Sequence, residues 1–414
     1  MIKTSQFLLI LTLAACLANG APAQPMKFDF GSANTIPGYV AVTPTDVYTS
    51  EKGYGFDLGF PPKAEDRGGH PVKGDYVTGE SGFYFSVALP QGNYDITVLL
   101  GDPAGTSNTT VKAESRRLML ENVITAEKEQ VTRKFTVNIR QPDYPGGRVS
   151  LKDREKSYLH WDNKLTLEFN GPRPCVAALE IRPAAATTTV WLLGDSTVTD
   201  QPFEPWNSWG QMITRFFKPG VAVANQAESG ESLGSSLSSR RVAKVEAELK
   251  KGDYVFVQFG HNDMKNKAPD ALEKYQENLA KLVNSIQRKG GTAVLVTSME
   301  RKGGIVNDTL AGYPEATKRV AEKENAKLID LHAMSRELYV GLGKDLNAAF
   351  QDGTHHNNFG SYEIAKCVVE GIRQGKLPLL ADDVKPFDPS HPDLAADFHY
   401  AVSPLKDLAE PDGN

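Results

Sequence analysis

Apolar and polar positions alternate along the first part of the chain. FYFSVAL (83–89) and YDITVLL (94–100) flank the turn-rich PQGN, and this pattern predicts a β-hairpin. KFTVNI (134–139), RVSLK (148–152), KLTLEF (164–169) and VAALEIR (176–182) repeat the alternation between turns bearing Gly and Pro. Many short strands with such punctuation predict an all-β sandwich, assigned to residues 25–184.

The texture breaks at PAAATTT (183–189), which is small and unpatterned. After it, apolar runs lose their alternation: VWLLG (190–194), VAVAN (221–225), YVFVQFG (254–260), TAVLVTS (292–298) and AKLIDL (326–331). Strands buried on both faces read this way. Between them lie helical periods, one through Val242, Val245 and Leu249, another through Leu272, Tyr275, Leu279, Leu282 and Ile286. A third helix starts near Pro314, and the last covers about residues 359–374. Strands alternating with helices predict a parallel five-stranded sheet in an α/β domain over residues 187–376. A site is then expected in the crevice at the carboxyl ends of the strands. Residues 377–414, rich in Pro and Asp, read as an extended C-terminal tail.

Composition changes this picture little. The 414 residues carry a net charge of −5, so no basic surface points to nucleic acid. No internal apolar run is long enough to span a bilayer. The N-terminus adds an address: Lys3 precedes FLLILTLAA (7–15), and residues 1–23 read as a signal peptide. Ala21-Pro22-Ala23 is one cleavage site; Leu13-Ala14-Ala15-Cys16 is an alternative lipoprotein box that would place a lipid anchor on Cys16. Either implies export to the periplasm or cell surface of a bacterium, or secretion. Cys175 and Cys367 have apolar neighbours and read as buried free thiols.

Four stretches carry candidate chemistry: Gly194-Asp195-Ser196-Thr197, Asn225–Gly230, Gly260-His261-Asn262-Asp263 and Asp352-Gly353-Thr354-His355. Singly, each has a bland reading; a serine after a strand is usually a helix N-cap. Together they supply a hydroxyl, a base and an orienting acid, since Asp352 and His355 are spaced to share one turn. The N–H groups of Ser196 and Gly230 and the Asn262 amide can serve as oxyanion donors. Gly230-Glu231-Ser232-Leu233-Gly234 matches the GxSxG elbow and makes Ser232 a rival nucleophile, although few strands precede it. Asp195 reads as a structural acceptor. Trp209 reads as core. His261 reads as positioning the Asn262 loop or touching substrate, His356 as near the substrate or solvated, and Trp206 as core packing or a stacking contact for substrate. Arg301 and Lys302 are a solvated basic pair or a contact for substrate carboxylates.

The four stretches, in this order, resemble the SGNH (GDSL-type) hydrolase superfamily, whose blocks carry Ser, Gly, Asn and His. The matching positions are Ser196, Gly230, Asn262 and His355. GDST, the Trp209-Gly210 pair, FGHND (259–263) and DGTH (352–355) look most like rhamnogalacturonan acetylesterases, with Thr197 in place of the signature leucine. The N-terminal region resembles a galactose-binding-like β-sandwich. The resemblance implies a three-layer α/β/α fold and a Ser196–His355–Asp352 esterase that needs no metal or organic cofactor. The implied activity is removal of acetyl groups from pectic rhamnogalacturonan. Alternatives are an esterase for acetylxylan or another polysaccharide, a lipid or thioester hydrolase, and a non-catalytic glycan-binding protein.

Overall fold

The computed structural model describes residues 25–184 and 186–406, so the signal-peptide and Cys16 readings lie outside the described residues. The chain divides into two compact units. Among the described residues, the first contains 25–140, 159–184, 186–187 and Tyr400–Pro404.

This unit is a β-sandwich. One sheet runs Val131–Ile139, Gly92–Leu100, Cys175–Pro183, Met26–Phe30, Val40–Val42, with Asp75–Thr78 and Lys63–Asp66 continuing from Cys175–Pro183. The other runs Tyr54–Asp57, Phe83–Ala88, Lys164–Arg173, Ser107–Ala113, Arg117–Thr125. Inward residues at period two build one core, where Phe28, Phe30, Phe56 and Phe85 meet tilted or edge to face. The expected hairpin is not one: Phe83–Ala88 and Gly92–Leu100 lie in different sheets. Almost every residue of Phe83–Ala88 is buried, so the segment fits a central strand between Tyr54–Asp57 and Lys164–Arg173 and not a half-wet hairpin arm. RVSLK is likewise no strand. Only Arg148 pairs, within a short two-residue ladder, and Asp153–Ser157 forms a 3₁₀ turn.

The second unit contains Gln141–Tyr158, Thr188–His399, Leu405 and Lys406. Residues 141–158, assigned by sequence to the sandwich, therefore pack with this unit. The predicted tail also divides: residues to His399 cluster here and Tyr400–Pro404 with the sandwich. Five parallel strands run in the order Val221–Asn225, Thr188–Gly194, Tyr254–Gln258, Thr292–Val296, Lys327–Ile329. The strand order reverses around Thr188–Gly194, which puts a crevice at its carboxyl end. Helix Ala271–Arg288 buries Tyr275, Leu279, Leu282 and Ile286 of the predicted stripe together with Val283, while Leu272 is only partly buried. A helix the pattern had not marked, Leu331–Leu342, is capped by Asp330 and buries Leu338 and Tyr339. Trp209-Gly210 opens a short helix under the first strand's loop. A Cβ on Gly210 would meet the Val198 carbonyl at 2.0 Å, so only glycine allows that approach. Cys175 and Cys367, the cysteines among the described residues, are buried and free. No helix among the described residues is long and apolar enough to cross a membrane.

Candidate active site

Strand Thr188–Gly194 ends in a turn that no helix follows directly, and Ser196 sits on it. Asp195 fixes the turn. Its carboxylate accepts from the Thr197 N–H at 2.9 Å and the Thr197 hydroxyl at 2.8 Å, and lies 3.1 Å from His261 Nδ1. Burial pushes this carboxyl up, yet His261 and the Thr197 bonds hold it below the usual carboxylate range. Asp195 is thus a structural acceptor.

Ser196 Oγ lies 2.7 Å from His355 Nε2, across 159 positions of sequence. His355 Nδ1 lies 2.7 Å from Asp352 Oδ2. The other Asp352 oxygen accepts the Thr354 and His355 N–H groups, both at 2.6 Å. Burial opposes ionisation of Asp352, but these bonds and His355 keep its carboxyl well below the ordinary range. A permanent carboxylate at Nδ1 leaves Nε2 free to accept the serine proton, the arrangement that activates a hydroxyl.

Candidate oxyanion donors lie on the loops beside the serine. Among the described residues, the N–H groups of Ser196 and Gly230 have no protein acceptor. Gly230 has φ of 78°, a left-handed conformation suited to glycine. Asn262 gives one amide hydrogen to the Glu231 carbonyl at 3.0 Å and retains a second. Gln201, which sequence reasoning missed, ties the two loops: its Nε2 donates to the Ser196 carbonyl at 2.7 Å and the Ser229 hydroxyl at 3.3 Å. No motif marks it, because its role depends on a loop 28 residues away.

The three candidate substrate contacts are packed, which for His261 and Trp206 is the alternative reading of their sequence context. His261 is buried, and its second nitrogen lies 2.9 Å from the Met299 carbonyl. With both ring nitrogens engaged, it positions the Asn262 loop and offers nothing to a sugar. His356 is buried against Phe350, with Nε2 3.1 Å from the Tyr339 hydroxyl. Burial, helped by His355, lowers its pKa to about 3, so it is a neutral core group. Trp206 is 7% exposed and stands edge-on to His355 with centroids 5.8 Å apart, covering the histidine. Trp209 is core, and its indole N–H donates to Gln258. Ser232 is the N-cap of helix Leu233–Ser238, its hydroxyl accepting from the Ser235 N–H at 3.1 Å.

Arg301 is not a solvated cation. Its guanidinium donates to Thr354 Oγ1, the Thr309 carbonyl and the His261 carbonyl, joining two strand-end loops to the Asp352–His355 turn. One set of metal-type ligands lies together among the described residues: Glu300, Asp308 and His332. Glu300 already accepts from the Arg301 and Thr309 N–H groups and the Thr309 hydroxyl and lies 3.2 Å from His332 Nε2, so this set is committed to internal bonds.

A model of the GDSL-like lipase/acylhydrolase family matches residues 192–361. A model of the beta-agarase/YXIM esterase-like, galactose-binding domain-like family matches residues 26–142. Rhamnogalacturonan acetylesterase RhgT of Bacillus subtilis (strain 168) is 35% identical over 212 residues, covering 46% of this chain and 91% of that protein. The uncharacterized esterase YxiM of the same organism is 26% identical over 391 residues, 88% of this chain and 97% of that one. The crystal structure of YxiM has 24% identity and a TM-score of 0.46, covering 86% of this chain and 99% of that chain. The chain is a serine esterase that belongs to the GDSL-like lipase/acylhydrolase family and carries a galactose-binding-like sandwich ahead of its catalytic fold.

Proposed function

We propose that this esterase is exported and removes acetyl groups from pectic rhamnogalacturonan through an acetyl-serine intermediate. The observation that carries the chemistry is the continuous 2.7 Å contacts from Ser196 through His355 to Asp352. Ser196 Oγ attacks the acetyl carbonyl as His355 Nε2 takes its proton. The oxyanion is held by the N–H groups of Ser196 and Gly230 and the second amide hydrogen of Asn262. The imidazolium, stabilised by Asp352, returns the proton to the departing sugar oxygen. Water, deprotonated by His355, then releases acetate.

The substrate reading rests on the 35% identity to a protein named as a rhamnogalacturonan acetylesterase. The apolar run behind Lys3 supports export. The test is acetate release from acetylated rhamnogalacturonan and from acetylxylan, with wild type beside Ser196→Ala. The expected result is faster release from the pectic polymer, abolished in Ser196→Ala. Equal or faster release from acetylxylan overturns the substrate reading and leaves the chemistry intact.

A further inference from the structure

The peptide group joining Ser229 to Gly230 is gripped from its carbonyl end. The Ser229 carbonyl accepts hydrogen bonds from the Lys152 ammonium and, at 3.0 Å, from Arg154 Nη2. A trans peptide holds its C=O and N–H antiparallel, so cations that fix this carbonyl also fix the direction of the Gly230 N–H. They draw electron density through the amide and make that N–H a stronger donor, as in any polarised chain of hydrogen bonds.

Both cations come from residues 141–158, which precede the catalytic fold in sequence yet pack with it. A buried network places them. Glu155, fully buried on the 3₁₀ turn, accepts from Arg241 Nη2 at 2.7 Å on each oxygen and from the Lys152 N–H at 2.8 Å. Arg154 also donates from Nη2 and Nε to Glu228 Oε1, at 2.6 and 3.2 Å. The Ser150 N–H donates to the Ser239 carbonyl at 2.9 Å. The three acids Glu155, Glu228 and Glu231 offset Lys152, Arg154 and Arg241, but it is the cations that touch the Ser229 carbonyl. A clamp needed only to hold the loop could end at Glu228 and leave the carbonyl alone.

We infer that Lys152 and Arg154 are positioning residues of the oxyanion site, orienting and polarising the Ser229–Gly230 peptide so that the Gly230 N–H meets the charge that develops in the transition state. This rests on the assignment of the Gly230 N–H under the proposed function.

The test uses the full-length chain with p-nitrophenyl acetate. Lys152→Met, Arg154→Met, the double variant and Arg154→Lys are compared with wild type and Ser196→Ala, and each thermal midpoint is recorded. Both side chains are about one-third exposed, at 32% and 33%, so the singles are expected to fold. Weakening an oxyanion donor, short of deleting it, is expected to lower kcat about tenfold for each single variant. KM should stay within about twofold, because the carbonyl is charged only in the transition state. Arg154→Lys should recover most of the loss. Methionine variants with wild-type kcat, or a loss confined to KM, overturn the inference. If that happens while Ser196→Ala is inactive, the site assignment stands and only this inference falls. If Ser196→Ala retains wild-type activity, the site assignment itself falls and takes the inference with it.

Discussion

Two strand-end loops of the catalytic unit carry nearly the same letters: Gly194-Asp195-Ser196 and Gly230-Glu231-Ser232. Each is glycine, acid, serine at the carboxyl edge of a parallel sheet. Their hydroxyls have opposite fates. Ser232 turns onto its own helix and accepts from Ser235 three residues on. Ser196 has no helix to cap, and its hydroxyl reaches His355, 159 residues away. The acids differ too. Asp195 folds back onto Thr197 and His261, whereas Glu231 accepts from the Ser235 hydroxyl and lies 3.9 Å from both Lys152 and Arg241. What separates a proposed nucleophile from a cap is therefore the distant partner, and local sequence cannot supply it.

The largest effects should come from removing that partner. His355→Ala and Asp352→Asn are each expected to lower kcat on p-nitrophenyl acetate by roughly 10³–10⁴-fold, the scale for loss of a base or its orienting acid. A loss below about tenfold would mean that the 2.7 Å contacts are not used in turnover.

Gln201→Leu should act between the two loops. It removes the donor shared by the Ser196 carbonyl and the Ser229 hydroxyl. Leaving such buried acceptors bare costs about 1–3 kcal/mol of stability. Misaligned loops should also lower kcat about tenfold, since small displacements of reacting groups are expensive. Denaturant melts and steady-state kinetics on one preparation separate the two effects. Lost stability with unchanged kcat would show that Gln201 is packing alone.

Ser232→Ala should cost about 1 kcal/mol of stability through the lost cap while leaving kcat within about twofold. A large loss of turnover there would reverse the comparison.

The adjacent histidines offer a subtler contrast, invisible at neutral pH. His356 titrates at about 3 when folded and near 6.5 when unfolded, because burial and His355 oppose its charge. Across that window the unfolded chain binds a proton that the folded chain does not. The contribution to stability is complete above about pH 6.5 and drains away as pH falls toward 3. Thermal midpoints should therefore fall more steeply between about pH 6.5 and 4 in wild type than in His356→Leu. Parallel curves would mean that His356 is not held neutral in the core.

How much of this was legible varies with the range of the forces. The five catalytic strands were, because doubly buried strands are continuous apolar runs that end in glycine or polar residues. The residues of the Ser196, Asn262 and His355 stretches were legible because chemistry demands their types. The sandwich was readable as β texture but not as pairing: Gly92–Leu100 alternates while Phe83–Ala88 is buried almost throughout, and nothing in either says that a different strand will be its neighbour. Lys152, Arg154 and Gln201 were hidden for the same reason. Each is an ordinary polar residue until a loop from elsewhere is laid against it. For His261 the sequence allowed either a loop-positioning role or a substrate contact, and for His356 a substrate contact or a solvated position; burial decides for the scaffold in both.

The most direct test of the central claim is covalent. Full-length protein is treated with diethyl p-nitrophenyl phosphate, an ester mimic that leaves a stable adduct on an activated serine, and the modified peptide is located by mass spectrometry. One diethylphosphoryl group on Ser196, formed as activity is lost and absent from His355→Ala, is the predicted result. An adduct on Ser232 with Ser196 unmodified would contradict the account, and would make the capping serine the nucleophile.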